Sequence, residues 1–124
     1  MTELELIQQT VLNYIDAWYE QDAAKGEKSL HPDLVKRIMR TDPDSGSNYL
    51  ELMSAPKLAD RWRSGDGKKT PQDSRRKDIS ILDTFGKMAC VRLETATWVD
   101  YMQLAKYDGN WLIVNILWEL KTGI

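Results

Sequence analysis

One cysteine, one histidine and one phenylalanine are all that these residue types contribute to the 124 residues of the chain. Cys90 alone cannot close a disulfide within the chain, and with only His31 beside it no ordinary zinc set can be completed. Disulfide and zinc scaffolds are therefore excluded, and Cys90, alternating with Ala89 and Val91, reads as a small buried hydrophobe of a strand rather than a nucleophile. An excess of one charge is missing too: 17 basic against 19 acidic residues leave a formal charge of −2, so no global positive field draws nucleic acid or an anionic membrane. No glycine-rich phosphate loop, nucleophile elbow or metal motif occurs, and no cofactor is expected. No apolar run is long enough to span a bilayer. The first 25 residues carry Glu3, Glu5, Asp16, Glu20 and Asp22 and reach no basic residue before Lys25, the reverse of a signal peptide. The expectation is a soluble, cytoplasmic protein without nucleic-acid or membrane partners.

What is present is 42% hydrophobic and 29% charged, which fits one globular domain over residues 1–124. Leu4, Ile7, Val11, Ile15 and Trp18 recur at helical steps, and Thr2 with Glu5 has capping-box spacing, so residues 3–21 are expected to form one amphipathic helix. Asp22 can cap a short second helix to about Ser29, with Gly26 weakening its middle. His31-Pro32-Asp33 stops it, because a residue before proline is pushed out of the helical region. Leu34–Thr41 reads as a strand, followed by the turn-rich stretch from Asp42 to Ser47. Ser54 as cap, Pro56 in the first turn and Gly65 past the end bracket a third helix over 55–63. Residues 64–77 lack any large apolar side chain and are expected to form a mobile loop outside the core. The period then becomes two, giving four antiparallel strands over 78–85, 88–97, 99–107 and 110–121. Helices first and strands afterwards predict an α+β fold, with three N-terminal helices packed on one face of a curved, mostly antiparallel sheet.

Asp108-Gly109 is the strongest turn signal, a type I′ hairpin. A regular ladder from that turn puts Trp98, Asp100, Met102, Leu104 and Lys106 on one face with Trp111, Ile113, Asn115, Leu117 and Glu119. The other face then carries Val99, Tyr101, Gln103, Ala105 and Tyr107 with Leu112, Val114, Ile116 and Trp118. Both are apolar and the helices can cover only one. The face with Asp100, Asn115 and Glu119 mixes apolar walls with polar groups and is assigned to a ligand pocket beneath the helices. The face with Tyr101, Leu112, Val114, Ile116 and Trp118 is assigned to a homodimer interface.

The run from Val11 to Trp18, the His31-Pro32-Asp33 junction, and a meander ending in Asp108-Gly109-Asn110-Trp111 resemble the nuclear transport factor 2-like (SnoaL-like) superfamily. Trp98-Val99-Asp100-Tyr101 and Val114-Asn115-Ile116-Leu117-Trp118-Glu119 are most similar to its putative lumazine-binding group. The resemblance spans essentially the whole chain and implies a cystatin-like cone of curved sheet around a cavity, usually dimeric. That superfamily hosts isomerases, cyclases and hydrolases as well as proteins without known activity.

Three functions remain open on these grounds: a binding protein for a small apolar or aromatic molecule, a cofactor-free isomerase, cyclase or hydrolase, and a non-catalytic dimeric accessory domain. Asp100 is the candidate general base, because burial can raise a carboxylate toward working pH, with Tyr14 as hydrogen-bond donor to a developing oxyanion. The ordinary alternative is an Asp100 satisfied by neighbouring groups and a Tyr14 tied off in the core. His31 is a candidate acid or base, or else only a junction residue before Pro32. Trp18, Trp62, Trp98, Met102, Asn115 and Glu119 are candidate ligand contacts, although aromatics at core spacing are usually core. From Arg61 to Lys77 seven basic residues meet two acidic ones, a run that could hold a phosphate-bearing ligand or simply be solvated.

Overall fold

In the computed structural model, which describes residues 1–122, three helices lie on one face of a curved, unclosed sheet of six strands. The helices are α1 (Glu3–Glu20), α2 (Ala23–Glu27) and α3 (Ala55–Arg63). The strands are β1 (Leu30–Thr41), β2 (Asn48–Ser54), β3 (Asp78–Phe85), β4 (Met88–Glu94), β5 (Trp98–Tyr107) and β6 (Asn110–Leu120). They pair in the order β2-β1-β6-β5-β4-β3, all antiparallel except β1 with β6.

The local signals act as their chemistry dictates. Thr2 and Glu5 close a reciprocal capping box at the start of α1, which satisfies two otherwise orphaned N–H groups. Ser54 caps α3, with Pro56 in its first turn. Asp108 and Gly109 both adopt positive φ, 48° and 82°, as the type I′ turn requires. Ile7, Val11, Tyr14 and Ile15 of α1 meet Val91, Leu93, Met102, Leu104, Ile113 and Ile116 of the sheet in one buried cluster. Glu3 adds a latch at the helix start: its carboxylate accepts from Lys106 Nζ and Trp111 Nε1, both at 2.6 Å.

Three sequence expectations need correction. The first strand begins at Leu30, not Leu34, and runs through Pro32. Proline has no N–H to give a ladder, and the β1–β6 pairing is correspondingly irregular between Leu30 and Val35.

The second correction is the hairpin register. From the turn to the pair Leu104–Ile113 the regular ladder holds. Val114 then has no partner, and beyond this bulge Gln103 faces Asn115, Met102 faces Ile116 and Asp100 faces Trp118. One extra residue exchanges the two faces of everything that follows. Ile116 is buried and Trp118 packs against the core, whereas Asn115 and Glu119 stand on the opposite, open face. Of the five residues expected to form an interface, Tyr101 and Leu112 therefore lie on the open face, Val114 is the bulge, and Ile116 and Trp118 turn inward. Tyr101 is instead paired there with the exposed Leu117.

Third, residues 64–77 are not wholly outside the core: they meet it at one buried point, Gly67, and are tied to α1 elsewhere by polar contacts. They form two short 3-10 turns, Asp66–Lys69 and Gln72–Ser74. Gly67 is buried against Trp18, so closely that a Cβ there would stand 2.3 Å from the Trp18 carbonyl oxygen. The Tyr19 hydroxyl donates to the Arg76 carbonyl at 2.9 Å and Lys77 pairs with Asp16 at 2.6 Å.

Candidate functional site

Between the helix layer and the ends of β1, β5 and β6 farthest from the Asp108-Gly109 turn is a cavity of about 170 Å³. Five aromatic residues are its bulkiest walls. Trp18 and Tyr14 come from α1, Trp62 and Leu58 from α3, Trp98 from β5, and Trp118 from β6 beyond the bulge. The rings brace one another edge to face, Trp18 on Trp98 at 5.6 Å, Trp98 on Trp118 at 6.5 Å, and Tyr14 on Trp62 at 6.0 Å between centroids. Gly26 explains how Trp62 seats itself: a Cβ at that position would come within 2.4 Å of the Trp62 ring. The residue that weakens helix α2 by propensity is thus the one that admits the pocket wall.

Lys36 of β1 is the polar group that organises this cavity. It alternates with the inward Leu34 and Ile38, and its side chain is buried. Its ammonium lies 5.3, 5.4 and 4.9 Å from the ring centroids of Tyr14, Trp98 and Trp118, distances at which an aromatic face attracts a cation. It donates a hydrogen bond of 2.7 Å to the Tyr14 hydroxyl. Its counter-ion is Asp100, 3.7 Å away and wholly buried. Neither Asp100 oxygen accepts a hydrogen bond among the described residues, an expensive condition for a buried carboxylate and one that ties it to the lysine charge. The indole N–H of Trp98 likewise has no acceptor among them.

These neighbours set the proton affinities. Burial first, then the charge of Asp100, holds the Tyr14 hydroxyl well above its ordinary ionisation range, so Tyr14 keeps its proton. Burial pulls the Lys36 ammonium down, Asp100 opposes that pull, and the Arg61 charge adds to it. Arg61 lies by the wall, its guanidinium 5.6 Å from the Trp18 ring centroid and paired to Asp66 at 3.2 Å.

The residues expected from sequence are thus partly gathered. Tyr14, Trp18, Trp62 and Trp98 form walls of one cavity. Met102 is buried core beneath it. Asp100 is on the helix side but lies outside the wall, with Lys36 as its neighbour toward the cavity. Asn115 and Glu119 face away, Asn115 donating to Gln103 at 3.1 Å. His31 is outside the cavity, stacked edge to face on Tyr107 at 4.9 Å near the hairpin turn, its Nδ1 accepting from the Asp33 N–H. Lys36, Trp118 and Thr97 were missed. For Lys36 the signal was available, a lysine between two aliphatic residues in strand alternation. Trp118 was hidden by the bulge.

The family model described as "Putative lumazine-binding" matches residues 2–119. The chain belongs to that family. No curated protein matches the sequence. Solved structures with which this family member shares its fold include a nuclear transport factor 2-like (NTF2-like) protein of unknown function from Shewanella baltica OS155, 17% identical, covering 99% of each chain with a TM-score of 0.72. Another, from Silicibacter pomeroyi DSS-3, is 15% identical over 98% of this chain and 100% of its own, at 0.75. A third, from Methylobacillus flagellatus KT, is 21% identical over 97% and 93%, also at 0.75. At these identities the likeness is one of fold, the nuclear transport factor 2-like, cystatin-like α+β cone.

Proposed function

We propose that this protein binds a compact, flat small molecule that presents an oxygen acceptor to Lys36 and Tyr14. The observation that carries the reading is the Lys36–Tyr14 pair, joined at 2.7 Å, in a cavity whose walls include Trp18, Trp62, Trp98 and Trp118. Aromatic walls favour a planar body, and a buried cation favours a carbonyl or carboxylate oxygen over a hydrocarbon edge. Lumazine, named in the family's description, is a flat bicyclic dione and one member of this class. Titration calorimetry with lumazine, benzyl alcohol and toluene tests it: an oxygen-bearing ring should bind about tenfold or more tighter than toluene, the worth of one charge-assisted hydrogen bond. Equal affinities for all three, or none, would overturn the reading. Native mass spectrometry of the purified protein then seeks the natural ligand.

A cofactor-free isomerase, cyclase or hydrolase is the second reading, and what favours it is that a proton donor and a buried amine share the cavity wall. In this form the acid–base pair is Tyr14 and Lys36, with Asp100 acting through Lys36.

We further propose a homodimer through the open face of the sheet. Leu50, Leu52, Met39, Tyr101 and Leu117 are each about half exposed there, forming apolar surface that a second copy would cover. Cys90, expected to be buried, is instead a free thiol exposed on the same face, because Ala89 and Val91 take the inward positions of β4. A free thiol fits a reducing compartment, and the cytoplasm is our proposed location.

A further inference from the structure

We propose that Lys36 is a carbonyl-reactive amine, so that the cavity captures an aldehyde or ketone as an imine on Lys36 Nζ. The inference rests on the pocket reading above and adds a covalent step to it.

Three placements support it. Lys36 is the one lysine in the cavity wall among the described residues. Its nitrogen donates to the Tyr14 oxygen at 2.7 Å, so the Tyr14 hydroxyl is one hydrogen bond from the reacting nitrogen. Asp100, 3.7 Å from Nζ and wholly buried beside it, is the carboxylate placed to receive the proton that the lysine gives up. Burial weakens the ammonium, and moving its proton to the carboxylate replaces a buried ion pair by two neutral groups. The tryptophan walls meanwhile limit water, the competing partner of an imine.

The step balances without any oxidant or metal. The Lys36 ammonium passes one proton to Asp100 and becomes a neutral amine. Its lone pair forms the N–C bond while the C=O π pair moves onto oxygen. That oxygen takes the Tyr14 proton as nitrogen returns one to Tyr14, giving a neutral carbinolamine. The proton held by Asp100, passed through Tyr14, then leaves with the hydroxyl as water, and the nitrogen lone pair forms C=N. One protonated lysine and one carbonyl have become one protonated imine and one water, with the Asp100 carboxylate restored beside the new cation.

Whole protein incubated with benzaldehyde and cyanoborohydride, then digested and mapped by mass spectrometry, tests the proposal. The expected result is a benzyl group on Lys36 ahead of exposed lysines such as Lys69. Tyr14→Phe should slow labelling by roughly a hundredfold at saturating benzaldehyde, the lower range for a positioned proton donor, a loss that weaker binding alone does not give once the site is full. Lys36→Arg, which keeps a cation beside Asp100, should abolish the label in a folded protein. Labelling confined to surface lysines, with benzyl alcohol still bound, would overturn the imine and leave the pocket reading standing. Failure to bind either compound would overturn both.

Discussion

The β5–β6 hairpin has two halves that differ in what they bury. Between the turn and Leu104–Ile113 it is regular, and its helix-facing side holds Leu104, Ile113 and Trp111, with the charge of Lys106 turned out to Glu3. Beyond the bulge at Val114 the same strands hold Asp100, Met102, Trp98, Ile116 and Trp118 around Lys36. The first half is a conventional core; the second puts a charge pair and a set of rings where a conventional core would have aliphatics. One unpaired residue separates them, and beyond it Trp118 and Leu120 of β6 reach the cavity wall. The bulge is where the largest perturbation is expected. Deleting Val114 takes out the extra residue and leaves Leu104–Ile113, Gln103–Asn115 and Met102–Ile116 as one regular ladder with each side chain on its present face. It also removes the local bend that a bulge imposes and shortens β6 between its pairings with Leu30 and Val35 of β1. A thermal melt followed by circular dichroism should therefore show a lowered transition, and benzyl alcohol affinity should fall as Trp118 leaves its place against Trp98 and Lys36. A wild-type melting curve with wild-type affinity would show that the bulge is dispensable.

The second prediction stays in the distal half. Lys36→Met leaves the fully buried Asp100 carboxylate without its cation, a condition that costs about 3–5 kcal/mol. Urea denaturation measures it. Lys36→Met combined with Asp100→Leu should return most of that loss, because removing both charges removes the unpaired one. A double variant as unstable as the single would mean that the cost came from lost packing of the lysine stem.

How far the sequence showed this arrangement follows the same boundary. Capping residues, the Asp108-Gly109 turn and the alternation of β4 and β5 are local signals, and each element they predicted is present with ends shifted by a few residues. Register is a non-local property, carried here by Pro32 of β1, which cannot donate to β6, and by the bulge at Val114 beside the irregular stretch. A ladder counted from the turn alone cannot sense a proline in a strand far earlier in the chain. Asp100 and Tyr14 were legible because they precede the slip or lie outside it. Asn115, Glu119, Ile116 and Trp118 were misplaced because all four follow it. The loop after α3 was misjudged for another reason: burial was sought in large side chains, whereas Gly67 contributes by having none.

That glycine carries the third prediction. A methyl group at Gly67 would meet the Trp18 backbone oxygen at 2.3 Å, and one at Gly26 would meet the Trp62 ring at 2.4 Å. Overpacking of this kind costs about 1–3 kcal/mol. Gly67→Ala should sit at the upper end, since backbone yields less than a ring. Gly26→Ala should lose less, because alanine returns up to about 1 kcal/mol of helix propensity. Both should weaken benzyl alcohol binding by moving a pocket wall, measured by calorimetry. Stability and affinity unchanged in both variants would mean that α2 and the loop shift freely.

The fourth prediction contrasts the two faces of the distal half. Leu117→Lys and Ile116→Lys alter adjacent residues, one on the open face and one in the core. Leu117→Lys should leave a folded monomer in sedimentation equilibrium, with stability within about 0.5 kcal/mol of a monomeric reference. Ile116→Lys should fail to fold. A dimer persisting in the Leu117→Lys variant would move the proposed interface off this part of the sheet.

The smallest effect belongs to the turn-proximal half, where Glu3 fastens the start of α1 to the hairpin. The Lys106 hydrogen bond, and after it that of Trp111, hold the Glu3 carboxyl below its ordinary value of 4.5. A carboxyl whose folded value is depressed stabilises the fold above its unfolded value and loses that contribution as pH falls through the folded one. Glu3→Gln should therefore be slightly less stable than wild type at neutral pH, with the gap closing below about pH 4.5 and disappearing once Glu3 is protonated in the fold. Glu5, Asp66 and Glu94 are also held low, but they are common to both proteins and cancel in the difference. Because Glu3 is half exposed, salt should shrink the gap at neutral pH. Paired urea titrations at pH 7 and pH 3, at low and high salt, read it directly. A gap independent of pH would assign the latch to packing of the Glu3 stem on Trp111 rather than to its charge.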